Sequence, residues 1–133
     1  KINFALKETD LIDYKNTIVS ELSGGQLQRV YIAMCLAQDT EIIILDEPTT
    51  FLDIKYQKSI MQLVRNLNKS LGITIIMVLH DINQALAYSD NIIALLNGKV
   101  IKNDQATNFF DENLLNKLYD ADIKIEDGKV ISW

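Results

Sequence analysis

Asp46 and Glu47 end the run Glu41-Ile42-Ile43-Ile44-Leu45-Asp46-Glu47-Pro48, where aliphatic residues give way abruptly to two carboxylates. One carboxylate there can help hold a hard cation such as Mg2+, which takes a carboxylate or two together with phosphate oxygens. The other can serve as the base beside a water that attacks a phosphate. A second group is Ser23-Gly24-Gly25-Gln26, in which Ser23 is a good N-cap for the helical pattern that follows. Paired glycines at a helix entrance admit another group close to the backbone, and the N–H groups and dipole there favour an anion. An ordinary capped helix with a flexible entrance fits the same residues. His80, the single histidine, follows a second apolar run, Ile73 to Leu79.

These side chains need particular elements to present them. Residues 42–45 are apolar and three of them β-branched, which suits a strand buried on both faces of a parallel sheet. A buried helix could hold the same run, but Pro48 lacks an N–H and biases Glu47 toward extended backbone. Asp46 and Glu47 are therefore expected at the carboxyl end of a core strand, where open α/β sheets bind ligands. A core strand followed by a solvated acidic turn is the plainer reading of this stretch taken alone. Lys55 to Leu71 has helical spacing closed by Gly72, so residues 41–79 read as strand, helix and parallel strand. His80 would then leave the sheet on the same edge as Asp46 and Glu47, if the strands are neighbours.

The remaining elements follow from pattern and turn chemistry. Residues 1–14 read as a short surface helix followed by a loop. Leu27, Val30, Tyr31 and Met34, widened by Ala33, Leu36 and Ala37, form the stripe of a largely buried helix. Asp81 caps a short helix to Tyr88. Asn97-Gly98 and Asp127-Gly128 each join two short strands as a hairpin, with one or two helices between Thr107 and Tyr119. Phe109, Phe110, Leu114, Leu115 and Leu118 are assigned to helix packing, and Cys35 and Trp133 to no function.

Composition narrows the classes. The 133 residues amount to one domain or part of one, 48% apolar and 23% charged, as in an ordered globular protein. A net charge of −5 without a basic stripe argues against nucleic-acid binding. One cysteine excludes an internal disulfide framework and fits a reducing compartment. No apolar stretch is long enough to span a bilayer, and no secretory signal is recognisable.

Leu22-Ser23-Gly24-Gly25-Gln26 is identical to the signature motif of ATP-binding cassette (ABC) ATPases. The run ending in Asp46-Glu47 resembles that family's Walker B strand, and Thr49-Thr50-Phe51-Leu52-Asp53 resembles its D-loop. The resemblance runs on to the C-terminus. It implies an α/β, P-loop NTPase-like (RecA-like) parallel sheet flanked by helices, with C-terminal β-hairpins. Residues 1–38 would be the end of the helical subdomain, with the signature helix, and 39–133 the C-terminal part of the catalytic core. In the family two cassettes sandwich two ATP molecules. The resemblance thus implies that Ser23, Gly24, Gly25 and Gln26 touch the γ-phosphate of ATP held by a partner, and that Asp46 holds Mg2+. It makes Glu47 the general base, His80 the switch histidine at the transferring phosphoryl group, and Asp53 a residue of the dimer interface.

One departure from the family is large. The chain contains no Gly-x-x-x-x-Gly-Lys-Ser/Thr, no recognisable Q-loop and no adenine-stacking aromatic. It therefore resembles the C-terminal half of a cassette, with the sheet incomplete where the Walker A strand would lie. Such a vacancy is a pairing hazard, so the chain is expected to oligomerise or to close the gap non-natively; a monodisperse monomer by light scattering counts against this. Glu47 to Ile54, Leu79 to Ala85, Tyr88 to Asn91 and the tail around Leu118-Tyr119-Asp120 look most like importers of ferric siderophores, haem or cobalamin. The resemblance implies a second cassette and a transmembrane permease as partners, ATP and Mg2+ as cofactors, and a peripheral place on the cytoplasmic face of the membrane. A non-transport ABC ATPase of DNA repair or translation, or a non-catalytic interaction fragment, are the competing readings.

Overall fold

A computed structural model describes residues 1–109 and 111–132; Phe110 and Trp133 lie outside the described residues. The chain forms two compact units, Lys1–Leu79 and His80–Trp133. The first contains α1 (Ile2–Glu8), two 3-10 turns, α2 (Gly24–Ala37), β1 (Ile42–Asp46), α3 (Ile54–Leu71) and β2 (Thr74–Val78). The second contains α4 (Ile82–Tyr88), β3 (Asn91–Leu96), β4 (Lys99–Gln105), a 3-10 turn, α5 (Glu112–Tyr119), β5 (Lys124–Glu126) and β6 (Lys129–Ser132).

β1 and β2 pair in parallel, from Ile42 opposite Thr74 to Asp46 opposite Val78. The helix that crosses between them, α3, starts at the N-cap Asp53 and stops at Gly72, whose φ of 68° supplies the left-handed turn. Its apolar stripe of Ile60, Met61, Leu63, Val64 and Leu67 is fully buried. Ile43 and Leu45 of β1 join most of that stripe and Ile32, Ala33 and Leu36 of α2 in one core.

Two expectations change at this point. β1 is buried on one face only: Ile43 and Leu45 point into the core, while Ile42 is 55% and Ile44 67% exposed. Ile76 and Val78 lie on that same open face, because they stand opposite Ile44 and Asp46 in the ladder. In α2 the buried residues are Gly25, Ile32, Ala33 and Leu36, whereas Tyr31 and Met34 face outward. The helix is turned so that the buried set, small and large residues alike, faces the core. The first helix is the surface element expected, with Ile2 and Phe4 exposed and Ala5 its one buried residue, while Thr9 and Leu11 just after it are buried in or beside the core.

Arg29 fastens that arrangement. Its guanidinium donates to the Thr9 carbonyl at 2.8 Å, to Asp10 at 2.7 Å and to the Ser59 hydroxyl at 2.8 Å. The Asp10 carboxylate is well exposed, so the ion pair itself adds little; the bonds to Thr9 and Ser59 tie the end of α1 and the side of α3 to α2.

In the second unit the two hairpins form as their turns dictate. Asn97-Gly98 has φ values of 50° and 73°, and Asp127-Gly128 has 48° and 70°, the positive pairs that two-residue turns require. Ile82, Ala94, Phe109, Leu115, Ile123 and Val130 make its core. Phe109 and Leu115 thus do the packing expected of them.

Candidate functional site

The carboxyl end of β1 departs from a plain strand end. The Glu47 N–H donates to the Val78 carbonyl at 3.1 Å, carrying the contact with β2 one residue past the strand. Its φ is 47°. The residue before a proline was expected to be extended, and it is left-handed instead. The reason is the turn that follows: the Thr50 N–H donates back to the Glu47 carbonyl at 3.1 Å, with Pro48 and Thr49 buried beneath. A non-glycine residue in that region costs on the order of 1–3 kcal/mol, which the buried turn must hold in place. The Thr50 hydroxyl donates to Glu47 Oε2 at 2.9 Å. Asp46 is exposed at the strand end.

The Ser23 segment forms a complete capping box. The Gln26 N–H donates to Ser23 Oγ at 3.3 Å, and the Ser23 N–H donates to Gln26 Oε1 at 2.8 Å. The Gln26 side chain is therefore turned back onto its own helix start. Gly24 and Gly25 are the first two residues of α2, whose N–H groups have no acceptor within the helix. The capped helix and the anion-favouring entrance are thus features of one structure.

Both glycines sit against the segment leading into α3. A Cβ on Gly24 would stand 3.5 Å from Leu52 Cδ2, and one on Gly25 only 2.7 Å from Tyr56 Cδ1. The second distance leaves no room for a methyl group unless the Tyr56 ring moves. Gly25→Ala gains about 1 kcal/mol of helix propensity but displaces a packed ring at about 1–3 kcal/mol. The expected result is a net loss in chemical denaturation with an altered tyrosine near-UV signal, and a net gain when the same change is made on Tyr56→Ala. Stabilisation by Gly25→Ala alone would contradict the contact.

Asp53 accepts from the Tyr56 N–H at 3.1 Å as the N-cap of α3, a local task beside any it has at an interface. His80 opens the second unit and is exposed; its carbonyl accepts from the Tyr119 hydroxyl at 3.2 Å. Burial, and after it the charge of Asp81, push the Tyr119 hydroxyl above the ordinary tyrosine pKa, so it keeps the proton it donates. Asp81 itself caps α4 through the N–H groups of Asn83 and Gln84. Glu47, next to Asp46 in the chain, thus meets Thr50, and the Ser23 segment meets the start of α3, all within the first unit.

Thr50, Tyr56 and Tyr119 were given no role of their own in the sequence, although Thr50 lies in the D-loop-like stretch and Tyr119 in the importer-like tail. Only Thr50 had a local signal, a hydroxyl three residues after a carboxylate across a proline. Among the described residues no cluster of three or more His, Cys, Asp or Glu could hold a metal by itself. Asp46 nonetheless fits Mg2+, which needs few protein carboxylates when phosphate oxygens complete its shell.

The family model described as ABC transporter matches residues 1–50. The chain is 47% identical over 124 residues to the iron(3+)-hydroxamate import ATP-binding protein FhuC of Bacillus subtilis, covering 93% of this chain and 46% of that protein. This chain belongs to the ABC transporter ATP-binding protein family. It is also 40% identical to the ferric enterobactin transport ATP-binding protein FepC of Escherichia coli, over 95% of this chain and 46% of FepC. Among solved structures it matches the ADP conformation of the ABC transporter cassette MJ1267 with a TM-score of 0.82 and 26% identity, over 91% of this chain and 49% of that one. A dimeric cassette, MJ0796 bound to ADP and Pi, matches with a TM-score of 0.66 and 41% identity, over 80% of this chain and 46% of that one. The chain spans about half the length of the curated relatives it matches. The expected P-loop NTPase-like α/β fold with C-terminal hairpins is the fold observed. Among the described residues, no helix of this ABC chain is long and apolar enough to cross a membrane.

Proposed function

We propose that this chain is the signature and Walker B part of the ATP-hydrolysing subunit of an ABC importer for ferric siderophores. The observation that carries the reading is the 47% identity, over 93% of the chain, to an iron(3+)-hydroxamate import protein. The juxtaposition of Asp46, Glu47 and the turn at Thr50 supports it chemically. In this reading residues 1–38 end the helical subdomain and 39–133 belong to the RecA-like core.

Hydrolysis here is positioning and electrostatics. Glu47 orients and deprotonates the attacking water, and His80 stabilises the transferring phosphoryl group. Asp46 holds Mg2+, whose charge when bound offsets that of the phosphates. The segment Ser23, Gly24, Gly25 and Gln26 receives the γ-phosphate of ATP held by a second cassette, through the Gly24 and Gly25 N–H groups, since those of Ser23 and Gln26 serve the capping box. Asp53 lies at that dimer interface. The second cassette and a transmembrane permease are the partners, at the cytoplasmic face of the membrane.

No phosphate-binding Gly-x-x-x-x-Gly-Lys-Ser/Thr occurs in this sequence, so the chain alone is expected to be inactive. The test is MgATP hydrolysis by the chain alone and after mixing with a polypeptide carrying the P-loop half of FhuC. Silence alone and turnover in the mixture support the reading. Turnover by the chain alone would overturn the expectation of inactivity, and silence in the mixture would overturn the ATPase reading.

A further inference from the structure

We infer that Thr50 is a positioning residue for Glu47, holding its carboxylate in the orientation a general base needs. The inference rests on the ATPase reading above. The backbone of Glu47 is fixed from both sides, by its N–H on the Val78 carbonyl at 3.1 Å and by its own carbonyl on the Thr50 N–H at 3.1 Å. A glutamate side chain still turns about several bonds beyond that point, and only a contact at its far end sets the plane of the carboxylate. The 2.9 Å bond from the Thr50 hydroxyl to Oε2 is such a contact. Fixing that plane also fixes the direction from which Oε1 can accept a proton.

Residue 50 can do this because of the turn. Glu47-Pro48-Thr49-Thr50 closes with an i to i+3 bond, which brings the fourth residue back over the first. Pro48 sets the second residue's φ, and Thr49 is buried, so the turn has little freedom to carry Thr50 away. Thr50 itself is exposed, so its side chain can be exchanged without opening a cavity. Its β-branch limits χ1 and keeps the donor aimed at the carboxylate.

The experiment has two arms. In the first, the chain as it stands is made with isotope-labelled glutamate, and the Glu47 carboxyl carbon signal is identified by its loss in Glu47→Gln. At one mildly alkaline pH, Thr50→Val shifts that signal and Thr50→Ser returns it, while the melting temperature stays within about 3 °C. In the second arm, MgATP hydrolysis is followed in the mixture described above. There Thr50→Val lowers kcat about tenfold with KM changed by less than about twofold, and Thr50→Ser restores kcat. A Glu47 signal indifferent to Thr50→Val, or a kcat unchanged by it, overturns the inference. So does a loss that serine fails to rescue. If the unsubstituted mixture has no turnover, the ATPase reading fails, and the carboxyl signal still decides whether the clamp exists.

Discussion

Glu47→Gln lowers kcat for MgATP hydrolysis by at least about a hundredfold, because a positioned base contributes about 10²–10⁴ to such a step. The substitution keeps the size of the side chain and an oxygen that can accept from Thr50, so the turn and strand end remain as they are. What is lost is a group able to take a proton from water. Nucleotide affinity is expected to stay within about threefold, since an interaction made only in the transition state leaves ground-state binding unchanged. Single-turnover hydrolysis and fluorescent-nucleotide binding, measured in the mixture with the P-loop half, separate the two quantities. A variant that still turns over at more than about a tenth of the original rate removes Glu47 from the role of general base. Equal losses in rate and affinity would place it in nucleotide binding instead.

Phe109→Ala has the largest expected effect on stability. Phe109 is 1% exposed at the centre of the second core, among Ile82, Ala94, Leu115, Ile123 and Val130. The Lys102 ammonium stands 5.0 Å over its ring and donates to the Asn108 carbonyl at 2.9 Å, so the ring also seats β4 on the turn that follows it. Removing a buried phenyl group costs about 3–5 kcal/mol in transfer and cavity terms. At about 0.05–0.15 kcal/mol per residue, a unit of this size holds roughly 3–8 kcal/mol in all. The variant is therefore expected to lose amide-exchange protection throughout β3 and β4 while the amides of β1 and β2 keep theirs. Full protection in β3 and β4 would mean that the second core does not depend on this ring.

The sequence was most readable where a local rule acts alone. Asn97-Gly98 and Asp127-Gly128 specify their turns whatever surrounds them, and Ser23, Asp81 and Gly72 mark helix ends by their own side chains or lack of one. β1 and β2 were legible as a parallel pair because strand, helix and strand leave few other connections. The misreadings lie where two rules compete or where a distant element decides. Pro48 argued for an extended Glu47, but closure of the turn at Thr50 set its conformation. The stripe Leu27, Val30, Tyr31 and Met34 satisfies helical spacing as well as the buried set does. The choice fell to the packing of α2 in the core, which takes in Ile32, Ala33 and Leu36 and leaves Tyr31 and Met34 outside. The contact of Gly25 with Tyr56 joins segments that no local pattern relates. The places of Asp46 and Glu47 at a strand end and of Ser23 at a helix start were therefore legible, while their supports were not.

The left-handed backbone at residue 47 means that stability and the proposed chemistry make opposite demands on one position. Glycine would adopt that φ without strain, so Glu47→Gly is one of the few changes here expected to relax the main chain. A laboratory selection that rewarded only heat resistance would drift toward it and discard the carboxylate.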